Sequence, residues 1–151
     1  MKIIAHRGNI NGSHPELENH PGYILSALSK GFDVEIDLWK NNGGLYLGHD
    51  EPKDKVQLSF LSHYKDQLWI HCKNVKAIEF MLNYPRFNAF FHQNDEVSLT
   101  TKGYLWTFPG GLMTSKSIAV LPETYELWDI QNAFGVCTDY PCKYKFKQFE
   151  K

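Results

Sequence analysis

The 151-residue sequence predicts an α/β fold: a reduced TIM-like (β/α) barrel with several crossover helices shortened or missing. Three observations lead there. Short β-rich runs outnumber helical patterns and alternate with them, which is the signature of parallel βαβ units. A right-handed series of such units gives an open doubly wound sheet or a closed barrel, and the residues discussed below favour the barrel. The chain is also shorter than the ~200 residues that a (β/α)8 barrel seldom falls below, so a helix cannot follow every strand.

The β-rich runs fall at residues 2–5, 32–39, 45–47, 68–73, 88–92, 104–108, 117–121 and 134–138. A helical pattern over 23–29 follows Pro21-Gly22 and stops at Gly31, a second over 75–83 stops before Pro85, and a third over 124–133 stops at Gly135. The connections from 92 to 104 and from 108 to 117 are too short for a crossover helix, which takes roughly a dozen residues with its turns. The second half of the barrel is therefore expected to be trimmed to loops. No repeat, low-complexity tract or Pro/Ser-rich linker divides the chain, so one domain over 1–151 is expected.

With 42% hydrophobic and 15% aromatic residues the chain can bury a sizeable core and is not a disordered one. Sixteen Lys and Arg against 17 Asp and Glu leave a net charge of -1, which calls for neither nucleic acid nor an anionic membrane. No apolar run approaches the ~20 residues of a transmembrane segment, and Met1-Lys2-Ile3-Ile4-Ala5 lacks a signal-peptide core, so a cytoplasmic location is expected. Cys72, Cys137 and Cys142 form no CxxC pair and read as buried or free thiols rather than a disulfide framework or a structural zinc site.

Chemistry concentrates at strand ends. In Phe32-Asp33-Val34-Glu35-Ile36-Asp37-Leu38, alternation puts Phe32, Val34, Ile36 and Leu38 on one face and three carboxylates on the other. Such an alternation is commonly an exposed face of an antiparallel sheet. Inside a parallel barrel the carboxylates would repel one another unless a cation compensated, so Glu35 and Asp37 are candidate metal ligands. Ile3-Ile4-Ala5-His6-Arg7-Gly8 ends a second strand in a proton-exchanging imidazole and a guanidinium suited to phosphate. Leu45-Tyr46-Leu47-Gly48-His49-Asp50 ends a third. The turn Asn41-Asn42-Gly43-Gly44 is hairpin chemistry that returns His49 toward Glu35 and Asp37.

Together, His6-Arg7-Gly8, Glu18-Asn19, Glu35-Ile36-Asp37 and His49-Asp50 resemble, in order and in spacing, the HRG, PEN, ExD and HD signature of the glycerophosphodiester phosphodiesterase family. Lys73 is similar to the lysine of that family's EIK motif, Trp106-Thr107 to its WT motif, and Thr138-Asp139-Tyr140-Pro141 to its closing TDYP segment. The resemblance is strongest over residues 1–52 and at the last strand, and patchy over 54–132. It implies a TIM-like barrel that hydrolyses a small-molecule phosphodiester to an alcohol and a phosphomonoester with one divalent cation, a role in lipid metabolism. The resemblance also implies that a neighbouring hydroxyl of the substrate attacks first, giving a cyclic phosphate that water then opens. His6 and His49 are then the acid–base pair, Arg7, Lys73 and Trp106 the substrate-binding residues, and Glu18 and Asn19 supporting residues.

Two positions depart from the family pattern: Leu17 replaces the proline of PEN, and His71 stands where EIK has its glutamate. Imidazole brings no negative charge, so with Glu35, Asp37 and His71 as ligands the cation is Mg or Ca by resemblance, with Mn or Zn opened by His71. Trp106 reads equally as a stacking platform or as ordinary packing. His14, His20 and His63 read as surface residues, His92 and Asp95 as either pocket lining or solvated loop, and 143–149 as a terminal segment docking its aromatics between lysines. The reading from sequence is a metal-dependent phosphoric diester hydrolase. Its alternatives are a non-catalytic phosphate-ligand binding protein and a lyase that stops at the cyclic phosphate.

Overall fold

The computed structural model describes residues 1–147. In chain order its elements are β1 (Lys2–His6), α1 (Pro21–Ser29), β2 (Asp33–Asn41), β3 (Gly44–Leu47), β4 (Asp54–Val56), α2 (Leu58–His63), β5 (Leu68–Cys72), α3 (Val75–Leu82), β6 (Asn88–Phe90), β7 (Val97–Leu99), β8 (Leu105–Thr107), β9 (Ser117–Val120), β10 (Gly135–Thr138) and α4 (Pro141–Lys147), with a 3-10 turn at Pro122–Thr124. Local chemistry sets the helix starts. The His20 side chain accepts from Gly22 N ahead of α1, with Pro21 in the first turn, and Asn74 accepts from Ala77 N ahead of α3.

Seven strands are parallel, in the order β6-β5-β2-β1-β10-β9-β8, and β7 adds antiparallel to β8. The hairpin β2–β3 closes through Asn41 opposite Gly44, as the Asn-Asn-Gly-Gly turn predicts. The sheet curls, and its two faces are sorted by the alternation of each strand. On the convex side Val34, Ile36, Leu38, Leu47, Ile70 and Cys72 pack under Ile24, Ala27, Leu61, Ala77 and Met81 of the helices. On the concave side Ile4, Trp69, Phe90, Trp106, Ile118, Val120 and Cys137 form a second, aromatic-rich cluster.

The expected TIM-like barrel is not what forms. Among the described residues the sheet is a curled half-barrel, mostly strand, with four short helices, in place of even a reduced barrel. Among the described residues no ladder joins β6 to β7 or β8. One residue bridges there instead, through backbone and side chain: Thr101 N donates to Ala89 O (2.8 Å), and Ala89 N donates to Thr101 Oγ1 (2.9 Å). Connection length is the cause. From β6 onward each link is too short or too irregular to carry a crossover helix, so the alternating layers of a TIM-like barrel do not form.

The helix expected over 124–133 is absent as well. Its apolar residues find no face to bury, with Tyr125 at 50% and Leu127 at 93% exposure, and short helices depend on such packing more than on propensity. The segment instead folds as turns pinned by Trp128 Nε1 donating to Gly111 O (2.8 Å). Conversely, α2 and α4 form without an expectation from the sequence. Of the basic and aromatic stretch 143–149, residues 148 and 149 lie outside the described residues. Cys72, Cys137 and Cys142 are free thiols, the first two buried.

Candidate functional site

Strand register gathers the chemistry. In β1 and β2 His6 lies opposite Glu35, and in β2 and β5 Asp37 lies opposite His71. All four are at carboxyl ends of parallel strands on the concave side, where α/β sheets carry their sites. β2 changes partner on one edge here, pairing with β1 over Asp33–Glu35 and with β3 over Leu38–Asn41. Asp37 sits in the gap. Its backbone N donates to Asn19 Oδ1, Asn19 Nδ2 donates to Asp37 Oδ2, both at 2.8 Å, and Gly48 N donates to Asp37 O at 3.2 Å.

Two turns deliver the remaining groups. Arg7 adopts φ 52° and Gly8 φ 87°, a left-handed pair that swings the chain off β1 and aims Arg7 N at Glu35 Oε2 (3.2 Å). Gly48 has φ 151°, and a Cβ on it would collide with the Glu51 carbonyl. That turn brings His49 back onto Asp37, Nδ1 to Oδ2 at 3.4 Å.

Glu35, Asp37 and His71 each offer a ligand atom, all within 4.8 Å of one another, and all three residues are buried. His71 Nδ1 is 3.0 Å from Asp37 Oδ1 and 3.9 Å from Glu35 Oε1. Asp37 Oδ1 is buried and, among the described residues, has no hydrogen-bond partner. A carboxylate oxygen and a ring nitrogen that close without bonding suit two ligands sharing one cation, since bonds of ~2.1 Å around a six-coordinate ion put neighbouring ligand atoms ~3 Å apart. Burial and the charge of Asp37 raise the Glu35 carboxyl above its usual range. Against its own burial, Asp37 is held well below that range by His49, His71 and Arg7.

Arg7, only 18% exposed at its side chain, is embraced by acceptors: Nη1 donates to Glu18 Oε2 (3.0 Å), Nε lies 3.0 Å from Asp37 Oδ2, and Nη2 is 3.3 Å from His49 Nε2. Burial would raise Glu18, but bonds from Asn9, Ser13 and Arg7 hold it low. Lys73 Nζ stands 3.7 Å from Asp37 Oδ1 and 3.5 Å from His49 Nδ1. The structure therefore brings together His6, Arg7, Glu18, Asn19, Glu35, Asp37, His49, His71 and Lys73.

Trp106 does not join them. It is 2% exposed and packs below the site against Phe90 (ring centroids 4.6 Å) and Trp69 (6.0 Å), which assigns it to packing rather than to the rim. Phe90 stacks directly on His71, ring centroids 5.0 Å apart and 6° from parallel, and Phe108 lies 4.5 Å from the His92 ring. His92 in turn stacks on His71, 4.5 Å apart and 10° from parallel. Burial, and the neighbouring His71 and Lys73, depress His92 to about 4.

Asp139 has a part that sequence reasoning missed. Its Oδ1 is 2.7 Å from His6 Nδ1 and accepts from Asn9 Nδ2 at 2.8 Å. Burial would lower His6, but the bond to Asp139 and the charge of Glu35 raise it. Asp139, despite its own burial, is held low by His6. The available signal was position: Asp139 directly follows β10, as His6 closes β1 beside it. His14, His20 and His63 stay outside the cluster, His20 capping α1.

No protein-family model, curated protein or solved structure matches this chain. Among the described residues, no helix is long and apolar enough to cross a membrane.

Proposed function

We propose that the protein is a divalent-cation-dependent phosphodiesterase acting on a small glycerophosphodiester-like substrate. The observation that carries this reading is the buried Glu35, Asp37 and His71 cluster flanked by two histidines and two fixed cations. The motif resemblance of His6-Arg7-Gly8, Glu18-Asn19, Glu35-Ile36-Asp37 and His49-Asp50 supports it from the sequence side.

A phosphodiester is an anion that resists attack until its non-bridging oxygens meet positive charge and its leaving oxygen receives a proton. Glu35, Asp37 and His71 would hold the cation, which supplies Lewis-acid charge to a phosphoryl oxygen when bound. Lys73 and the Arg7 guanidinium add fixed charge beside it, with Glu18 holding the guanidinium in place. His6 is oriented through Nδ1 by Asp139, which leaves Nε2 for proton exchange. His49, 41% exposed at its side chain, stands on the other side of Asp37 where solvent and substrate reach it. The two histidines serve as acid and base for the attacking and leaving oxygens.

Phosphorus NMR of a phosphodiester panel, run with Mg, Ca, Mn and Zn in turn, tests the reading. A phosphomonoester product that requires one of these ions is the expected result. Binding without turnover under every ion would establish the non-catalytic alternative, and a cyclic phosphate that accumulates without opening would establish a lyase.

A further inference from the structure

Aromatic rings flank one side of the cation site. His71 and Phe90 are direct cross-strand partners in β5 and β6. Alternation continues past the end of β6: Phe91 packs into the convex core, while Phe90 and His92 share the concave side. Both lie flat against the His71 imidazole. Phe90 does so with centroids 5.0 Å apart and planes 6° from parallel, His92 at 4.5 Å and 10°. Phe90 and His92 are themselves 8° from parallel. Phe108, which follows β8, touches the His92 ring at 4.5 Å and 53°.

His71 Nδ1 stands 3.0 Å from Asp37 Oδ1 and 3.9 Å from Glu35 Oε1. A ligating imidazole is usually fixed by a hydrogen bond from its other nitrogen to a carboxylate or carbonyl. Among the described residues His71 Nε2 makes no such bond, and the buried His92 Nδ1 has no hydrogen-bond partner. The χ2 torsion of a histidine is soft, so the plane of each ring is set by what lies against its faces. The same geometry excludes His92 as a ligand to the ion that His71 would hold. An imidazole nitrogen takes a metal in the plane of its own ring, and two rings stacked face to face share no plane in which one ion could lie.

We propose that His92 is a positioning residue of the cation site. Stacked on His71 beside Phe90, it sets the imidazole plane so that Nδ1 stays on Asp37 and Glu35, and it thereby commits the site to an ion that accepts nitrogen, Zn in preference to Mg. The inference rests on the cation reading of Glu35, Asp37 and His71 given above.

Calorimetry on the full chain with Zn and with Mg, taken above the background of the Glu35→Gln, Asp37→Asn double variant, tests it. Wild type should bind Zn at least about tenfold more tightly than Mg. Loss of a group that orients a metal ligand typically weakens metal binding about 10- to 100-fold, so His92→Ala should weaken Zn by that factor. Mg, which prefers oxygen ligands, should change by less than about threefold. His92→Phe restores a flat ring without a nitrogen and should keep Zn within about threefold of wild type. His92→Leu fills the volume without a flat face and should behave as His92→Ala does. Cobalt gives a second readout: the visible absorption of bound Co should change in His92→Ala and His92→Leu and not in His92→Phe. Urea melts establish that each variant is folded before titration. Equal loss of Zn and Mg in the alanine and leucine variants would make His92 merely structural, and unchanged Zn affinity would remove it from the site. A loss in His92→Phe as deep as in His92→Ala would make it a ligand. Each of these outcomes overturns the proposal. Failure of wild type to bind either ion would overturn the cation reading and this inference together, whereas the expected Zn behaviour with no diester hydrolysed would overturn the phosphodiesterase reading alone.

Discussion

Asn19 completes the β2 ladder at the residue where a strand partner is missing, bonding both the backbone and the carboxylate of Asp37 at 2.8 Å. The side chain thereby does two things at once. It satisfies a buried N–H that would otherwise be orphaned, and it fixes the Asp37 Oδ2 rotamer so that Oδ1 faces His71. Asn19 holds φ 63°, a conformation that Asn tolerates better than most residues. Asn19→Ala should therefore destabilise the fold by about 1–3 kcal/mol, since a buried donor and acceptor both lose their partner. It should also weaken divalent-cation binding measured on folded protein. Urea denaturation and calorimetry check the two effects, and a stability loss with unchanged cation affinity would limit Asn19 to the backbone.

Glu35 and Asp37 are expected to hold one divalent cation. Calorimetry of wild type against a Glu35→Gln, Asp37→Asn double variant decides it: binding should disappear in the variant. Saturating cation at about 100 times the dissociation constant should stabilise wild type by about 2.7 kcal/mol and should not stabilise the variant.

His6→Ala and His49→Ala should each lower kcat by about 10² to 10⁴ while leaving cation binding in place, because general acid–base groups act on the transition state. Steady-state kinetics on whichever diester wild type hydrolyses measures this. Near-normal turnover in both variants would sink the two-histidine mechanism.

The His6–Asp139 pair has a pH signature in stability. His6 is raised above its ordinary 6.5, so its contribution is complete below that value and is lost as pH rises through the higher folded value. Asp139 is lowered, so its contribution is present above the ordinary value of about 4 and is lost as pH falls through the lower folded value. The pair thus stabilises most between about pH 4 and 6.5. Asp139→Asn should reduce unfolding free energy by about 1.5–3 kcal/mol near pH 5.5 and by clearly less at pH 9, as read from urea melts at the two pH values.

Trp106→Ala should remove about 3–5 kcal/mol of stability, the usual consequence of emptying a buried aromatic position. Trp106→Phe, which keeps most of the packing, should retain normal Michaelis constants. A rise in KM without loss of stability would return Trp106 to the substrate-binding surface.

The sequence by itself determined the local arrangements in which one strand or one turn controls the outcome. Alternation in 32–38 sorted Val34, Ile36 and Leu38 from Glu35 and Asp37, because successive side chains on any strand point to opposite faces whatever the sheet becomes. The Asn41-Asn42-Gly43-Gly44 turn returned His49 to Asp37 for a similarly local reason. Two helices and most strand positions followed from the same short-range signals. What tertiary structure decided was everything that depends on residues far apart in the chain. Whether a TIM-like barrel forms depends on the layers that cover the sheet, and with short links after β6 the chain is a curled half-barrel where strand counting suggested a barrel. The residues 124–133 lost their helix because no neighbour offered an apolar face. Trp106 went to the interior because Trp69 and Phe90, from strands that only the fold places beside it, enclose the ring. Asp139 reached His6 because β1 and β10 pair across more than 130 residues of chain, a contact set by sheet order and invisible to periodicity.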